Sequence, residues 1–371
     1  MNIALKQYPQ VPADFLSLLV CWLLLLAFGL VMVSSASVAL NGDYASKHLV
    51  FLVLSVLAFS VTFILPMSVW NKLYLVGWLG ALAFALVVLL PGVGHTVNGA
   101  TRWLQISGFT LQASEVAKFG LMIYLAGYLH RYSEQLSAEP VKVFVPLGMI
   151  VSVCALIVIE PDLGSAVVIV AASIALLFIA GAQLRYFLLL LIAASGALAL
   201  LIWVEPYRME RLLAFIDPWA KPYDGGYQLV QALIAFGRGE LFGLGLGEGV
   251  QKLYYLPEAH NDFIFAVIAE ELGAVGALTL VAVYSLFIVK IFAVARAQVE
   301  QDALFSGYCC YFIGLIFAFQ LLINLGVNTG TLPTKGLTLP FISYGGNSLI
   351  ISSAMFGFVL RCAYPREVRG G

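Results

Sequence analysis

Four carboxylates and a histidine stand close together in the stretch Tyr255-Leu-Pro-Glu-Ala-His-Asn-Asp-Phe-Ile-Phe-Ala266 and the Glu270-Glu-Leu-Gly273 that follows. Asp262 falls where a polar segment meets a long apolar run, with Glu258 and His260 beside it, and Glu270 and Glu271 lie further in. Such a set could carry general acid–base chemistry, or hold a divalent cation through carboxylate and imidazole. The alternative is structural: Asp262 as a helix N-cap and the glutamates in a buried ion-pair network.

Five other groups could act with it. In Ser114-Glu-Val-Ala-Lys118, Glu115 and Lys118 are three apart and would share one helical face, either lining a cavity or locking two helices together. Upstream, Asn98-Gly-Ala-Thr-Arg-Trp103 offers Arg102, whose planar fork could clamp a phosphate or anchor at an interface. In Glu160-Pro-Asp-Leu-Gly164, Asp162 is placed to cap the following helix, whereas Glu160 has no such role and could line an outer cavity. Arg208 and Arg211, also three apart, could meet a pyrophosphate or sit at lipid headgroups. Thr334-Lys-Gly-Leu-Thr-Leu-Pro-Phe-Ile-Ser-Tyr-Gly-Gly-Asn-Ser348 adds Lys335 and Ser343 at an unusually polar entry to an apolar run.

The elements that must position these groups follow from composition. Of 371 residues 62% are hydrophobic and 11% charged, against roughly 25% charged in soluble domains. Most of the surface must therefore face lipid. Ten apolar runs approach the roughly 20 residues that a crossing helix needs: 15–35, 49–67, 73–91, 111–129, 143–159, 163–182, 186–204, 263–290, 303–327 and 339–360. The first is too long for the core of a cleaved signal peptide.

Lys6, Lys72, Arg131, Lys142, Arg185, Lys290, Arg296, Arg361, Arg366 and Arg369 all fall on one side if the N-terminus is inside, so both termini are expected in the cytoplasm. The expectation is one all-α integral membrane domain spanning 1–371. Two glycine- and aromatic-rich outer segments, 92–110 and the large 205–261, join its spans. The alternating Gly243, Gly245, Gly247 and Gly249 read as a flexible connection; they do not match a dinucleotide fingerprint.

A net charge of −1 gives no argument for nucleic-acid binding. Cys21, Cys154, Cys309, Cys310 and Cys362 lie in apolar runs without metal-ligand spacing and read as small apolar residues. Small residues of the eighth and ninth runs, Gly273, Gly276, Gly307 and Gly314 among them, are candidates for close helix contact with a membrane partner.

Ser-Glu-x-x-Lys at 114–118, Pro-Asp-Leu-Gly at 161–164, Leu-Pro-Glu-x-His-x-Asp-Phe-Ile-Phe-Ala at 256–266, Glu-Glu-Leu-Gly at 270–273 and Pro-Phe-Ile-Ser-Tyr-Gly-Gly at 340–346 resemble the SEDS family, in order along essentially the whole chain. Glu160 before Pro-Asp-Leu-Gly, Gly237-Arg-Gly-Glu-Leu241 and Thr334-Lys-Gly-Leu337 resemble the division branch more than the elongation branch. Ala113, Asn261 and Asn347 depart from frequent Pro, Thr and Ser, and none of these changes removes an ionisable group.

The resemblance implies a peptidoglycan glycosyltransferase acting on lipid II at the outer face of the bacterial cytoplasmic membrane, at the division septum. It maps the essential acidic residue onto Asp262. Arg102, Glu115, Lys118, Glu160, Arg208, Arg211, Glu258, His260, Glu270, Glu271, Lys335 and Ser343 are then candidates for substrate binding. It also implies other division proteins as partners, a class B penicillin-binding protein among them. Two other roles are compatible with the chain: a lipid II flippase, and a scaffold for a partner synthase. An elongation-type polymerase is the alternative within the family.

Overall fold

The computed structural model describes residues 13–40, 43–97, 100–106, 109–136, 138–139, 141–220, 222–223 and 225–364. Lys6, Arg366 and Arg369, used above for orientation, lie outside them, as do Asn98 and Gly99 of the Arg102 motif. The chain runs through helices α1 (Ala13–Ala36), α2 (Tyr44–Ile64), α3 (Met67–Lys72) and α4 (Tyr74–Val88). Strands β1 (Gly94–Val97), β2 (Ala100–Ile106) and β3 (Phe109–Gln112) follow. Next come α5 (Ala113–Tyr132), α6 (Val141–Ile159), α7 (Leu163–Ile179), α8 (Leu184–Val204), α9 (Pro206–Ile216) and α10 (Tyr227–Gly239). The last are α11 (Ile264–Glu300), α12 (Leu304–Asn328) and α13 (Gly346–Ala363).

Among the described residues, seven helices are long and apolar enough to cross a membrane: α1, α2, α6, α8, α11, α12 and α13. α4 and α7 are apolar but shorter. The core is built where α12 and α13 pack against α5, α11 and α2, and it is rich in aromatic side chains. Phe287, Phe317 and Phe341 meet there ring to ring, with centroids 5.3 to 6.0 Å apart. α8 is the opposite case. Only Leu190 of its 21 residues is buried, and its exposed Leu188, Leu189 and Ile192 suit hydrocarbon.

The structure corrects the sequence reading in four places. The fold is not entirely α: strands β1, β2 and β3 form an antiparallel sheet in that order, registered by Gly94 opposite Leu104 and Trp103 opposite Gln112. Its β-branched and aromatic residues (Thr96, Val97, Thr101, Trp103, Ile106) suit a pleated surface. The apolar run 339–360 enters as irregular chain, and α13 begins only at Gly346, because Pro340 cannot donate to a helix and Phe341 sits at φ 67°.

The 205–261 segment carries two amphipathic helices, α9 and α10. The glycine run is no loose connection. α11 is broken at Gly273 (φ 67°, ψ −173°), and the run docks into the break: Leu244 and Gly245 donate backbone N–H groups to the carbonyls of Glu270 and Glu271 at 3.0 Å. From the other side Ala274 and Val275 donate to Glu240 and Leu241. Gly243, at φ 78°, lies so close to the α11 backbone that a Cβ would stand 2.2 Å from the Glu271 carbonyl oxygen.

Finally, two of the small residues offered as an outer contact face inward. A Cβ on Gly307 would meet Val299, and one on Gly314 would meet Phe292, both on α11.

Candidate active site

Asp262 lies on the last turn before α11 and is half-buried. It does not cap the helix: the N-cap position is Phe263, without a side-chain cap. The backbone around Asp262 is instead held from α12. Asn328 Nδ2 and Asn324 Nδ2 both donate to the Asp262 carbonyl at 3.0 Å. Asn324 also donates to the Leu337 carbonyl at 2.8 Å, and Asn328 Oδ1 accepts from Ala266 N at 3.1 Å. Two buried amides one helical turn apart thus tie the Asp262 loop to the Thr334–Leu337 loop. The sequence reading passed over both; a pair of Asn side chains spaced i, i+4 at the end of an apolar span was the available signal.

The Thr334–Leu337 loop covers the carboxylate, since a Cβ on Gly336 would stand 3.0 Å from Asp262 Oδ2. Leu337 in turn packs on Gly164, where a Cβ would be 3.1 Å from Leu337 Cγ. The glycine of Pro-Asp-Leu-Gly therefore lets the two loops approach.

A cluster of charge surrounds Asp262. Burial pushes its carboxyl up to about 7; Glu258 raises it further, Arg102 and Arg211 oppose, and Asp162 adds to the rise. Lys335 is lowered to about 8 by burial and by the guanidinium groups of Arg211 and Arg208. Arg211 Nη1 reaches the Thr334 carbonyl at 3.5 Å, and Arg208 Nη1 donates to Leu201 O at 2.9 Å, which brings the start of α9 to this face. Burial lowers the His260 imidazole, against the pull of Glu258. His260 stacks loosely with Tyr44 and Tyr344, and its carbonyl accepts from Tyr344 N at 2.9 Å.

The turn between α6 and α7 supplies two more carboxylates. Asp162 caps α7 through Ser165 N at 3.2 Å and accepts from Ser114 Oγ at 2.6 Å and Gln112 Nε2 at 3.0 Å. Glu160 is 1% exposed, and among the described residues neither of its carboxylate oxygens has a hydrogen-bond partner. Burial lifts it to about 8, with Asp162 adding and Arg102 opposing.

A cavity of about 440 Å³ opens beside this turn, lined by Ile159, Pro161, Thr96 and Thr101. These residues bracket Glu160 and precede Arg102. The strand pleat turns Arg102 away from the face of Thr101, and Arg102 does not line this cavity.

The remaining candidates have partners of their own. Lys118 Nζ pairs with Glu115 Oε1 at 2.7 Å, both buried, one residue along α5 from the Ser114 that holds Asp162. Glu271 accepts from Lys252 Nζ at 2.6 Å and from Ser35 Oγ at 2.8 Å. Glu270 takes Arg238 Nε at 3.0 Å and the N–H groups of Val250 and Gln251 at 3.1 Å. Ser343 is buried and accepts from Leu339 N at 2.8 Å. Among the described residues no three His, Cys, Asp or Glu side chains form a preformed metal site. A cation at Asp262 would need further oxygens from its ligand.

A carboxylate poised near neutrality, ringed by arginines and a lysine at the mouth of a helical bundle, suits transfer from an anionic donor. The family model for FtsW, RodA and SpoVE, described as a cell cycle protein, matches residues 15–367. The chain belongs to this family. A relative from Coxiella burnetii named probable peptidoglycan glycosyltransferase FtsW is 45% identical over 361 residues, covering 94% of this chain and 96% of its own. Another of the same name from Saccharophagus degradans is 45% identical over 374 residues, covering 97% and 96%.

Among solved structures, a chain from a study of the structural coordination of polymerization and crosslinking by a peptidoglycan synthase complex superposes with a TM-score of 0.77. It is 28% identical, over 96% of this chain and 98% of that one. The rod shape determining protein RodA of Thermus thermophilus superposes at 0.69, also at 28% identity, over 93% and 95%. The family's motifs fall at the joints of the site: Pro-Asp-Leu-Gly at the turn under Arg102, Leu-Pro-Glu-x-His-x-Asp before α11, and Glu-Glu-Leu-Gly at the break in that helix.

Proposed function

We propose that this chain polymerises lipid II into glycan strands at the outer face of the bacterial cytoplasmic membrane, with Asp262 as the general base. It is a peptidoglycan glycosyltransferase of the division type. The observation that carries the mechanism is Asp262 itself, a half-buried carboxyl at about 7 that faces Arg102 and Arg211. A sugar hydroxyl is a poor nucleophile at neutral pH, and a base within reach removes its proton as it attacks.

The reaction joins O4 of an acceptor GlcNAc to C1 of a donor MurNAc. The bond from C1 to the undecaprenyl pyrophosphate oxygen breaks, and the hydroxyl proton passes to Asp262. One displacement inverts the anomeric centre. Arg102, Arg208, Arg211 and Lys335 stabilise the charge that grows on the departing pyrophosphate. The covering loop of Gly336 restricts water at the carboxylate. Glu115, Lys118, Glu258, His260, Glu270, Glu271 and Ser343 shape and hold the site around these groups.

The topology that serves this reaction has ten crossings: the seven long helices with α4, α5 and α7. Both termini are cytoplasmic, and α9 and α10 lie on the outer side. A class B penicillin-binding protein is the partner that would cross-link the new strands at the septum. The superposition on a chain from a complex coordinating polymerization and crosslinking supports that pairing. Its contact with the bundle is expected on lipid-facing positions such as Val275, Leu278, Leu286 and Val289 of α11, all exposed.

The test is polymer formation from labelled lipid II in a defined bilayer, with and without the partner, comparing wild type with Asp262→Asn. Removing a general base costs about 10²–10⁴-fold in rate. An Asp262→Asn protein that polymerises like wild type would refute the base assignment. A flippase would move lipid II between leaflets while forming no polymer.

A further inference from the structure

Two carboxylates stand two residues apart on the turn between α6 and α7, and their surroundings are opposite. Asp162 is met by three donors, Ser114 Oγ, Gln112 Nε2 and Ser165 N, as an ionised carboxylate requires. Glu160 is equally buried, yet among the described residues no donor reaches either of its oxygens. A buried anion without donors is strongly disfavoured, and a carboxyl so placed keeps its proton. Arg102 carries the complementary deficiency: its Nε is buried and meets no acceptor among the described residues. Two hydrogen-bond donors, a carboxylic O–H and a guanidinium N–H, thus lack acceptors beside the Asp262 cluster.

We propose that Glu160 works as a neutral carboxylic acid that donates a hydrogen bond to a phosphate oxygen of the bound pyrophosphate donor, alongside Arg102. The proposal rests on the reading of Asp262 and the arginines as a site for lipid-linked pyrophosphate. A pyrophosphate presents more acceptor oxygens than a few cations can satisfy, and a neutral donor adds a contact without placing another unbalanced charge in a buried site. Because the acid carries no charge, it does not repel the incoming anion. Once ionised, it would.

The pH behaviour follows from the groups that face Glu160. Asp162 on the same turn raises its pKa, Arg102 from β2 lowers it, and burial dominates, leaving it at about 8. On α5, Glu115 and Lys118 are paired with each other. Asp262, on the loop before α11, shares both Arg102 and Asp162 as neighbours with Glu160. Glu160 is therefore protonated at neutral pH and ionises just above it.

The experiment uses the full chain in lipid nanodiscs, with E160Q and E160A checked for folding by thermal melting. Infrared difference spectra at neutral pH should show a protonated-carboxyl band in wild type that is absent from E160Q and that shifts when lipid II is added. Lipid II polymerisation should lose kcat/KM above about pH 8 in wild type. In E160Q, whose amide is also a neutral donor, that alkaline fall should disappear. E160A should raise KM about tenfold, the loss expected for one hydrogen bond to a charged group. No protonated band assignable to Glu160, or an unchanged alkaline limb in E160Q, overturns the proposal even if wild type polymerises lipid II. If wild type makes no polymer, the reading of the site fails instead, while the infrared band still reports the state of Glu160.

Discussion

Lys118 Nζ lies 2.7 Å from Glu115 Oε1, one turn apart at the head of α5, and neither side chain is more than 6% exposed. Ser114, next to this pair, holds the Asp162 carboxylate at 2.6 Å. The ion pair is thus built into the helix start that fixes the α6–α7 turn. Removing one partner of such a pair strands a buried charge, at a cost of about 3–5 kcal/mol, whereas removing both is milder. Lys118→Met and Glu115→Gln should each lower the melting temperature more than the double variant does. A double-mutant cycle on purified protein checks this, and strictly additive losses would mean that the two groups do not interact.

Activity should rise as pH passes upward through about 7, because Asp262 must lose its proton to accept one. Stability should run the other way. Asp262 and Glu160 both have folded-state values raised above the ordinary ones of 3.8 and 4.5, so between those values and about 7 and 8 the folded state binds more protons. Their contribution favours the fold at low pH and is lost as pH rises through the folded values. Melting curves from pH 4 to 9 on wild type and on Asp262→Asn should show a shallower decline between about pH 4 and 7 in the variant.

Asn328 bonds both the Asp262 carbonyl and Ala266 N, so Asn328→Ala removes one partner from each, leaving Asn324 Nδ2 and the Phe263 carbonyl as the remaining ones. A destabilisation of about 1–3 kcal/mol is expected, together with a fall in kcat that exceeds any rise in KM. Steady-state kinetics with lipid II separates the two. A variant with reduced stability and unchanged kcat would reduce Asn328 to scaffolding.

Gly243→Ala should be among the most damaging conservative changes in the chain. It combines a left-handed backbone, costing about 1–3 kcal/mol for a side chain, with a Cβ 2.2 Å from the Glu271 carbonyl oxygen. Gly148→Ala, on α6 with open space around its Cβ position, is the control. Expression level and melting temperature in detergent are the measurements, and equal behaviour of the two variants would contradict the docking of the glycine run into α11.

Much of the bundle was legible because apolar length is a direct consequence of lipid as solvent. The runs at 15–35, 143–159, 186–204 and 303–327 lie within a few residues of α1, α6, α8 and α12. Asp262, Arg102, Glu160, Arg211 and Lys335 were picked out one by one, as ionisable residues at the mouths of apolar runs, and the fold gathers them. Their assembly was not legible, since it depends on loop approaches that only packing decides, such as Leu337 against Gly164.

The sheet at 94–112 escaped because two of its strands are only four residues long, too short for a periodicity to emerge. The glycine run was misread for a related reason. Alternating glycines signal backbone freedom, and the sequence does not say that a broken helix elsewhere will claim that backbone. Glu270 and Glu271 were grouped with Asp262 by nearness in sequence, yet the helix carries them down to Arg238 and Lys252.

The small sheet also works as a depth gauge. Among the described residues its outer strands, β1 and β3, each present one edge of N–H and C=O groups without a strand beside it, and hydrocarbon tolerates no such edge. The sheet therefore marks the level to which water or headgroups reach. α5 starts at the residue after β3 ends, so height along that helix can be measured from this level. At about 1.5 Å per residue, Glu115 sits only about 3 Å below it and Lys118 about 8 Å. On the function proposed above, the lipid's pyrophosphate belongs to the headgroup layer while its prenyl chain hangs beneath, so a substrate diffusing sideways in the leaflet would carry its phosphates at the height of Arg102 without being lifted.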